Sequence, residues 1–206
     1  GSSYTLTADV SDAAGNAATQ VTSSSFSVDK TAPSINAIGT GAFSWGAVLN
    51  ATEDNSDGTV SVTTSGVDDG QTVTLTLNGS TYTNTVTSNA TTVTITAAGL
   101  QALTDGQSYT LTADVSDAAG NAASQVTSSS FSVDKTVPSI NAIGTSAFSW
   151  GAVLNATDDN SGGTVSVTTV DVDDGQTLTL TLNGSTYTNT VTSNATTVTI
   201  TAAGLQ

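Results

Sequence analysis

Cysteine, methionine and histidine are absent from the 206 residues, and only two side chains, Lys30 and Lys135, carry a positive charge. Each absence removes a class of chemistry. Without thiols or imidazoles there are no disulfides, no thiolate nucleophiles, no histidine bases and none of the usual ligands for zinc. Two lysines against 17 acids leave a net charge of −15. Such a chain cannot neutralise phosphate, which excludes nucleic acid and anionic membrane surfaces as partners and favours a cation. Hydrophobic residues make up 36% of the chain but never run beyond a few in succession, so membrane insertion through a helix is not expected. No signal peptide is visible, and the sequence opens in mid-pattern at Gly1-Ser2-Ser3-Tyr4. A small, polar extracellular domain without disulfides needs another clamp, and bound metal is the common one.

What is present is repetition. Ser3 to Gln101 returns as Ser108 to Gln206 at an offset of 105 residues, with no insertion or deletion. The copies differ at Thr19/Ser124, Ala32/Val137, Gly41/Ser146, Glu53/Asp158, Asp57/Gly162, Ser65/Val170, Gly66/Asp171 and Val73/Leu178. So few differences point to recent duplication within a longer array.

Inside the repeat, apolar and threonine positions alternate. Val73, Leu75 and Leu77 interleave with Thr72, Thr74 and Thr76, and Val93 and Ile95 with Thr92, Thr94 and Thr96. A period of two predicts half-buried strands. Asn78-Gly79 suits the positive φ of a type I′ hairpin turn. The spacing predicts an all-β fold of tandem immunoglobulin-like Greek-key sandwiches, with strands A at 34–40, B at 58–65, C at 71–77, C′ at 81–87, E at 91–97, F at 108–115 and G at 123–134. A single helical turn is expected at 97–103, and Leu103 to Tyr109 reads as a tyrosine corner. Domain boundaries fall at Asp29-Lys30-Thr31-Ala32-Pro33 and its copy Asp134 to Pro138, where proline stiffens the start of strand A. Residues 1–30 are then strands F and G of a first repeat, 31–135 a complete repeat, and 136–206 strands A to E of a third. Head-to-tail self-association of the two partial repeats is one expectation from this phase.

Two motifs carry a resemblance. Val10-Ser11-Asp12-Ala13-Ala14-Gly15-Asn16, followed by Val28-Asp29-Lys30-Thr31-Ala32-Pro33, returns at Val115 to Asn121 and Val133 to Pro138. On these motifs the chain resembles the bacterial immunoglobulin-like repeats of giant RTX-type surface adhesins, including the extender repeats of ice-binding and biofilm adhesins. The resemblance covers essentially the whole chain. It implies extracellular display after type I secretion, calcium (Ca2+) at domain junctions, and a spacer role among neighbouring repeats of one array.

The sandwich topology points to the same ion. Loops B–C and F–G share the pole where the chain enters, so Asp68, Asp69, Asp117 and Asn121 should converge on Asp29, with Asp12 and Asn16 as the earlier copy of the F–G loop. Asp134, Asp173 and Asp174 fill the matching roles in the next repeat. These are hard oxygen donors, the set calcium takes in groups of about six to eight. Two unit charges about 4 Å apart cost about 4 kcal/mol at an effective dielectric near 20, and Lys30 alone cannot offset the cluster. A second candidate is the A–B connection, where Glu53, Asp54, Asn55 and Asp57 partly match a calcium loop and Asp158 and Asp159 replace them in the next copy. Aspartate, asparagine and glycine also populate turns for their own backbone reasons.

The alternative is a direct ice- or carbohydrate-binding module, with the threonine rows as an ice face or Trp45 and Tyr82 as a sugar platform. Alternating threonine is also what a solvated strand face contains, and Trp45 beside Phe43 suits a core cap. Adjacent acids on one turn do not straddle a glycosidic bond, so no enzyme is expected.

Overall fold

In Thr72-Val73-Thr74-Leu75-Thr76-Leu77 the period of two turns Val73, Leu75 and Leu77 inward, where each is at most 1% exposed, and leaves the threonines outside or half-buried. The same division recurs along the computed structural model, which describes residues 1–206. The chain divides into two compact units, Gly1–Lys135 and Thr136–Gln206.

In the first unit, β1 (Ser2–Tyr4) pairs with β4 (Phe26–Val28), and β2 (Thr7–Ala8) with β3 (Val21–Thr22). This hairpin has no buried residue. Next come β5 (Ser34–Ile35), β6 (Val48–Asn50), β7 (Gly58–Ser65), β8 (Thr72–Leu77), β9 (Ser80–Thr85), β10 (Ala90–Ile95), α1 (Ala97–Gln101), β11 (Ser108–Tyr109), β12 (Leu111–Asp114), β13 (Val126–Thr127) and β14 (Phe131–Asp134). One sheet has the order β10-β7-β5; facing it are β13-β12-β8-β9 and β11-β14-β6. The chain crosses between sheets from β7 to β8, returns from β9 to β10, and crosses again through α1 to β11. That is the Greek-key route of an immunoglobulin-like sandwich. Val60, Val62, Val93 and Ile95 meet Val73, Leu75, Leu77, Leu111, Phe131 and Val133 in one core.

Several local expectations hold. Asn78 and Gly79 have φ of 48° and 79°, as a type I′ turn requires. The hydroxyl of Tyr109 accepts a hydrogen bond from the Thr104 amide at 2.9 Å, the tyrosine corner. Thr96 caps α1, its hydroxyl accepting from the Gly99 amide at 3.3 Å. Trp45 is a core residue: it stacks on Phe43 at 5.2 Å and stands edge-on to Phe131 at 5.3 Å. A β-carbon at Gly58 would lie 2.6 Å from the Trp45 ring, so the indole requires glycine there.

Other boundaries differ. Strand A ends at Ile35 instead of residue 40, because the chain turns into a 3-10 helix at Thr40–Ala42 and rejoins the opposite sheet as β6. β6 runs parallel to β14, Leu49 beside Val133. Strands F and G each split in two. The Ser128 hydroxyl takes the Leu111 amide at 3.0 Å, and the Ser129 amide turns to the Ile38 carbonyl at 2.8 Å, so the serine run leaves the ladder. The β9–β10 connection is a second turn with two positive φ values, Ser88 at 51° and Asn89 at 59°.

The second unit repeats β5 and β7 to β10 as β15 (Ser139–Ile140), β16 (Gly163–Val170), β17 (Thr177–Leu182), β18 (Ser185–Thr190) and β19 (Ala195–Ile200), ending in α2 (Ala202–Leu205). Its sheets are β15-β16-β19 and β17-β18. Val165, Val167, Leu178, Val191, Val198 and Ile200 form its core, with Phe148 and Trp150 only partly buried against it.

Candidate metal centre

At the pole where the linker enters the complete repeat, the structure brings Asp29, Asp68, Asp117 and Asn121 together. Asn121 donates from its side-chain nitrogen to the Asp29 carbonyl at 3.4 Å, and the Ala118 amide donates to Asp68 Oδ2 at 3.2 Å. Asp117 is buried, at 4% exposure. Its Oδ1 accepts the Asn121 amide and its Oδ2 the Asn121 side-chain nitrogen, both at 2.8 Å. The bond from the Asn121 side chain, above all, holds the Asp117 carboxyl below its usual value; burial pulls the other way, and the amides of Asn121, Ala119 and Gly120 lower it further. The motif at Asp12 closes identically, Oδ1 accepting from Ala14 and Asn16 amides at 3.0 and 2.8 Å and Oδ2 from the Asn16 side chain at 2.8 Å. The Asp12 carboxyl is lowered for the same leading reason, the Asn16 side chain.

The carboxylates therefore do not stand as a bare cluster. Asp29 Oδ1 accepts from Thr31 at 3.0 Å, and Asp69 is set apart, tied to the Ser88 amide at 2.7 Å. No three acidic side chains form a group that could hold a metal as the loops stand. The donors are nonetheless all oxygen, which is the chemistry calcium selects. In the next repeat Asp174 repeats the Asp69 bond, accepting from Ser193 at 2.6 Å, while the Asp173 carbonyl takes the Gln176 amide at 3.3 Å. Asp134 ends β14.

The opposite pole is organised around a cation of the protein itself. Lys135 Nζ lies 3.0 Å from Asp54 Oδ2 and donates to the carbonyls of Leu100, Gln101 and Leu103 at 3.3, 3.1 and 2.9 Å. The Lys135 amide donates to Asp105 Oδ1 at 2.7 Å. Around this pair Glu53 Oε2 accepts the Asn50 amide at 3.1 Å, Asn55 Oδ1 accepts from Gln101 at 3.2 Å, and Asp57 Oδ1 accepts the Ala97 amide at 2.8 Å. Each acid of the Glu53–Asp57 loop thus has a protein partner. In the next copy Asn155 Oδ1 accepts the Asp158 amide at 3.1 Å and Asp159 accepts from Asn160 at 3.0 Å. The role of Lys135 was not read from the sequence. Its signal was the placement of the only two positive residues at one position of the repeat, Lys30 and Lys135. Trp45, at 5% exposure, offers no platform for a sugar.

The strand order defines an immunoglobulin-like module. No family model matches the chain, and no curated protein matches it. Among solved structures, a bacterial immunoglobulin-like domain from the M. primoryensis ice-binding adhesin is 35% identical, over 50% of this chain and 95% of that one, with a TM-score of 0.35. By that sequence identity the chain belongs to the bacterial immunoglobulin-like domains. A Ca2+-stabilized adhesin that helps an Antarctic bacterium reach out and bind ice is 33% identical, over 98% of this chain and 49% of that one, with a TM-score of 0.49. A 1.5-MDa bacterial ice-binding adhesin, a structure bearing on host cell surface retention, is 29% identical over 98% and 64%, with a TM-score of 0.47. The chain thus spans about half to two thirds of the length of these two.

Two outcomes follow. Lys135→Met leaves the Asp54 carboxylate enclosed without its counter-charge, and denaturant unfolding should show a loss of roughly 3 kcal/mol; adding Asp54→Asn should recover much of it, and a single variant as stable as the parent would deny the pair any role. Asp117 has a folded value below its ordinary 3.8, so its stabilisation is complete above that value and is lost as pH falls through the lower folded one. Asp117→Asn should therefore lose less stability than the parent on acidification below about pH 4, whereas equal acid sensitivity would contradict the assignment.

Proposed function

We propose that the chain is a run of non-catalytic extender repeats of a bacterial surface adhesin, stiffened by calcium where the linker meets the loops of the next sandwich. The observation that carries this reading is the tie between linker and F–G loop, Asn121 on the Asp29 carbonyl, inside a unit that recurs every 105 residues without a gap. A linker fixed to the following domain cannot act as a free hinge, so length scales with repeat number. The named neighbours support the adhesin setting, and one of them is Ca2+-stabilized. An extracellular location and the absence of an enzymatic role belong to this reading.

Asp29, Asp68, Asp117 and Asn121 would hold the ion. The bound ion supplies positive charge that a chain of net charge −15 lacks. Four side chains fall short of calcium's coordination number, so carbonyls and water complete the shell. The residues already bring Asp68 and Asp117 together through the Ala118 amide, and the ion adds to that arrangement. At 100 times its dissociation constant such an ion stabilises the fold by about 2.7 kcal/mol. Calorimetry of the full chain should show a higher Tm in calcium than in EDTA, with the difference reduced in Asp68→Ala; identical melting in both buffers would refute the calcium reading.

A further inference from the structure

A two-residue turn of type I′ needs positive φ at both positions, and asparagine followed by glycine suits it best. The turn between β8 and β9 is built so, with Asn78 at 48° and Gly79 at 79°, and the turn between β17 and β18 repeats it with Asn183 at 46° and Gly184 at 80°. The residue that fits the turn also carries a reactive carbon. The side-chain carbonyl carbon of asparagine can close a five-membered ring with the backbone nitrogen of the next residue, and a glycine there has no β-carbon to hinder the approach.

Elsewhere in the complete repeat, hydrogen bonds hold such side chains in place. Asn36, Asn84 and Asn121 donate from their side-chain nitrogens to Thr63, Thr92 and Asp117 at 2.9, 2.8 and 2.8 Å. Asn55 donates to the Ala51 carbonyl at 2.6 Å, and the side-chain oxygens of Asn50 and Asn89 accept the amides of Thr52 and Val67 at 2.8 and 3.4 Å. Aspartate before glycine can close the same ring, yet Asp57, Asp69 and Asp105 each have an oxygen taken by an amide, those of Ala97, Ser88 and Lys135, at 2.8, 2.7 and 2.7 Å. Asn78 is the one asparagine of residues 31–135 whose side chain makes no such bond. Its turn is exposed, the ladder closes at Leu77 opposite Ser80 without the Gly79 amide, and a β-carbon on Gly79 would meet no atom within 4 Å. In the second unit Asn183 is likewise unheld, while Asn189 donates to the Thr197 carbonyl at 2.7 Å.

We propose that Asn78 and Asn183 are sites of spontaneous deamidation in the folded chain, giving each repeat a chemical mark of its age. The Gly79 nitrogen loses its proton and bonds to Asn78 Cγ; the Cγ–Nδ2 bond breaks, and ammonia leaves with that proton. Water then opens the cyclic imide at one of its two carbonyl carbons. Opening at Cγ leaves aspartate, and opening at the main-chain carbonyl leaves isoaspartate, in which the chain runs through the former side chain. The reaction consumes only water and involves no oxidant, metal or enzyme. Each conversion adds one negative charge, so two take the chain from −15 to −17. Aspartate preserves the turn, because Asp-Gly also suits type I′. Isoaspartate adds a methylene to the main chain and breaks the match of Leu77 to Ser80. That loosens β9, the edge strand whose Tyr82 packs on the core.

The full chain, aged at neutral pH and physiological temperature and sampled over weeks, is digested and read by peptide mass spectrometry, with isoaspartyl methyltransferase labelling the isoaspartate. Residues 78 and 183 should show the mass gain of amide turned to acid and take the label, while Asn50, Asn55, Asn84 and Asn89 remain amides. Unfolded in guanidinium, the chain should also take label at Asp57, Asp69 and Asp105, whose protecting amides are gone. Asn78→Gly combined with Asn183→Gly keeps the positive φ and removes the reacting group. This variant should gain no mass at the turns and keep its Tm on ageing, whereas the Tm of the aged parent should fall. Intact asparagine at 78 and 183 throughout, equal conversion of the hydrogen-bonded asparagines, an unfolded chain labelled at the two turns alone, or an aged parent that melts like a fresh one would overturn the proposal.

Discussion

The ammonium of Lys135 sits among Asp54 Oδ2 and the carbonyls of Leu100, Leu103 and Gln101, all within 3.3 Å. This one arrangement ties together three stretches distant in sequence: the 3-10 turn at Glu53–Asn55, the end of α1, and the strand by which the chain leaves the sandwich. A short helix leaves carbonyls unsatisfied at its C-terminus, and a buried carboxylate such as Asp54 needs a positive partner. In a chain with two cations, one side chain meets both needs. The pair is only slightly exposed, so solvent screens it less than a surface ion pair.

The other half of the linker dipeptide is held from the opposite direction. Asp29, preceding Lys30, receives the Asn121 side chain of the repeat that follows it, while Lys135, following Asp134, is gripped by the repeat that precedes it. The Asp-Lys dipeptide is thus held on its aspartate side at residue 29 and on its lysine side at residue 135. The proposed calcium ion would reinforce a junction that backbone amides have already assembled. It is not needed to hold bare aspartates against their mutual repulsion, because Asp68, Asp117 and Asp29 each accept an amide.

Much of the fold was legible because its signal is local. The bounds of β7 at Gly58–Ser65, the Asn78-Gly79 turn and the Tyr109 corner follow from alternation, positive φ and a tyrosine near a glycine-containing bend. β6 was not legible: three residues carry no period, and its partner β14 lies about 80 residues further along the chain. The turn at Ser88-Asn89 lacked glycine as a marker. At the site, the shared pole of Asp29, Asp68, Asp117 and Asn121 could be read from topology, since loops joining the same ends of a sandwich must be neighbours. Which oxygens the backbone would claim could not, because the Asx-type closure of Asp117 on Asn121 depends on loop dihedrals. The partner of Asp54, Lys135, is 81 residues away in the chain and leaves no local signal beside it.

The central claim is that the junction is stiff and that calcium makes it stiffer. Small-angle X-ray scattering from a string of four repeats, in saturating calcium and after chelation, measures this directly. The account predicts a rod-like profile in calcium, with a maximum dimension that shortens and a distribution that broadens when the ion is removed. Superimposable profiles in the two conditions would contradict it.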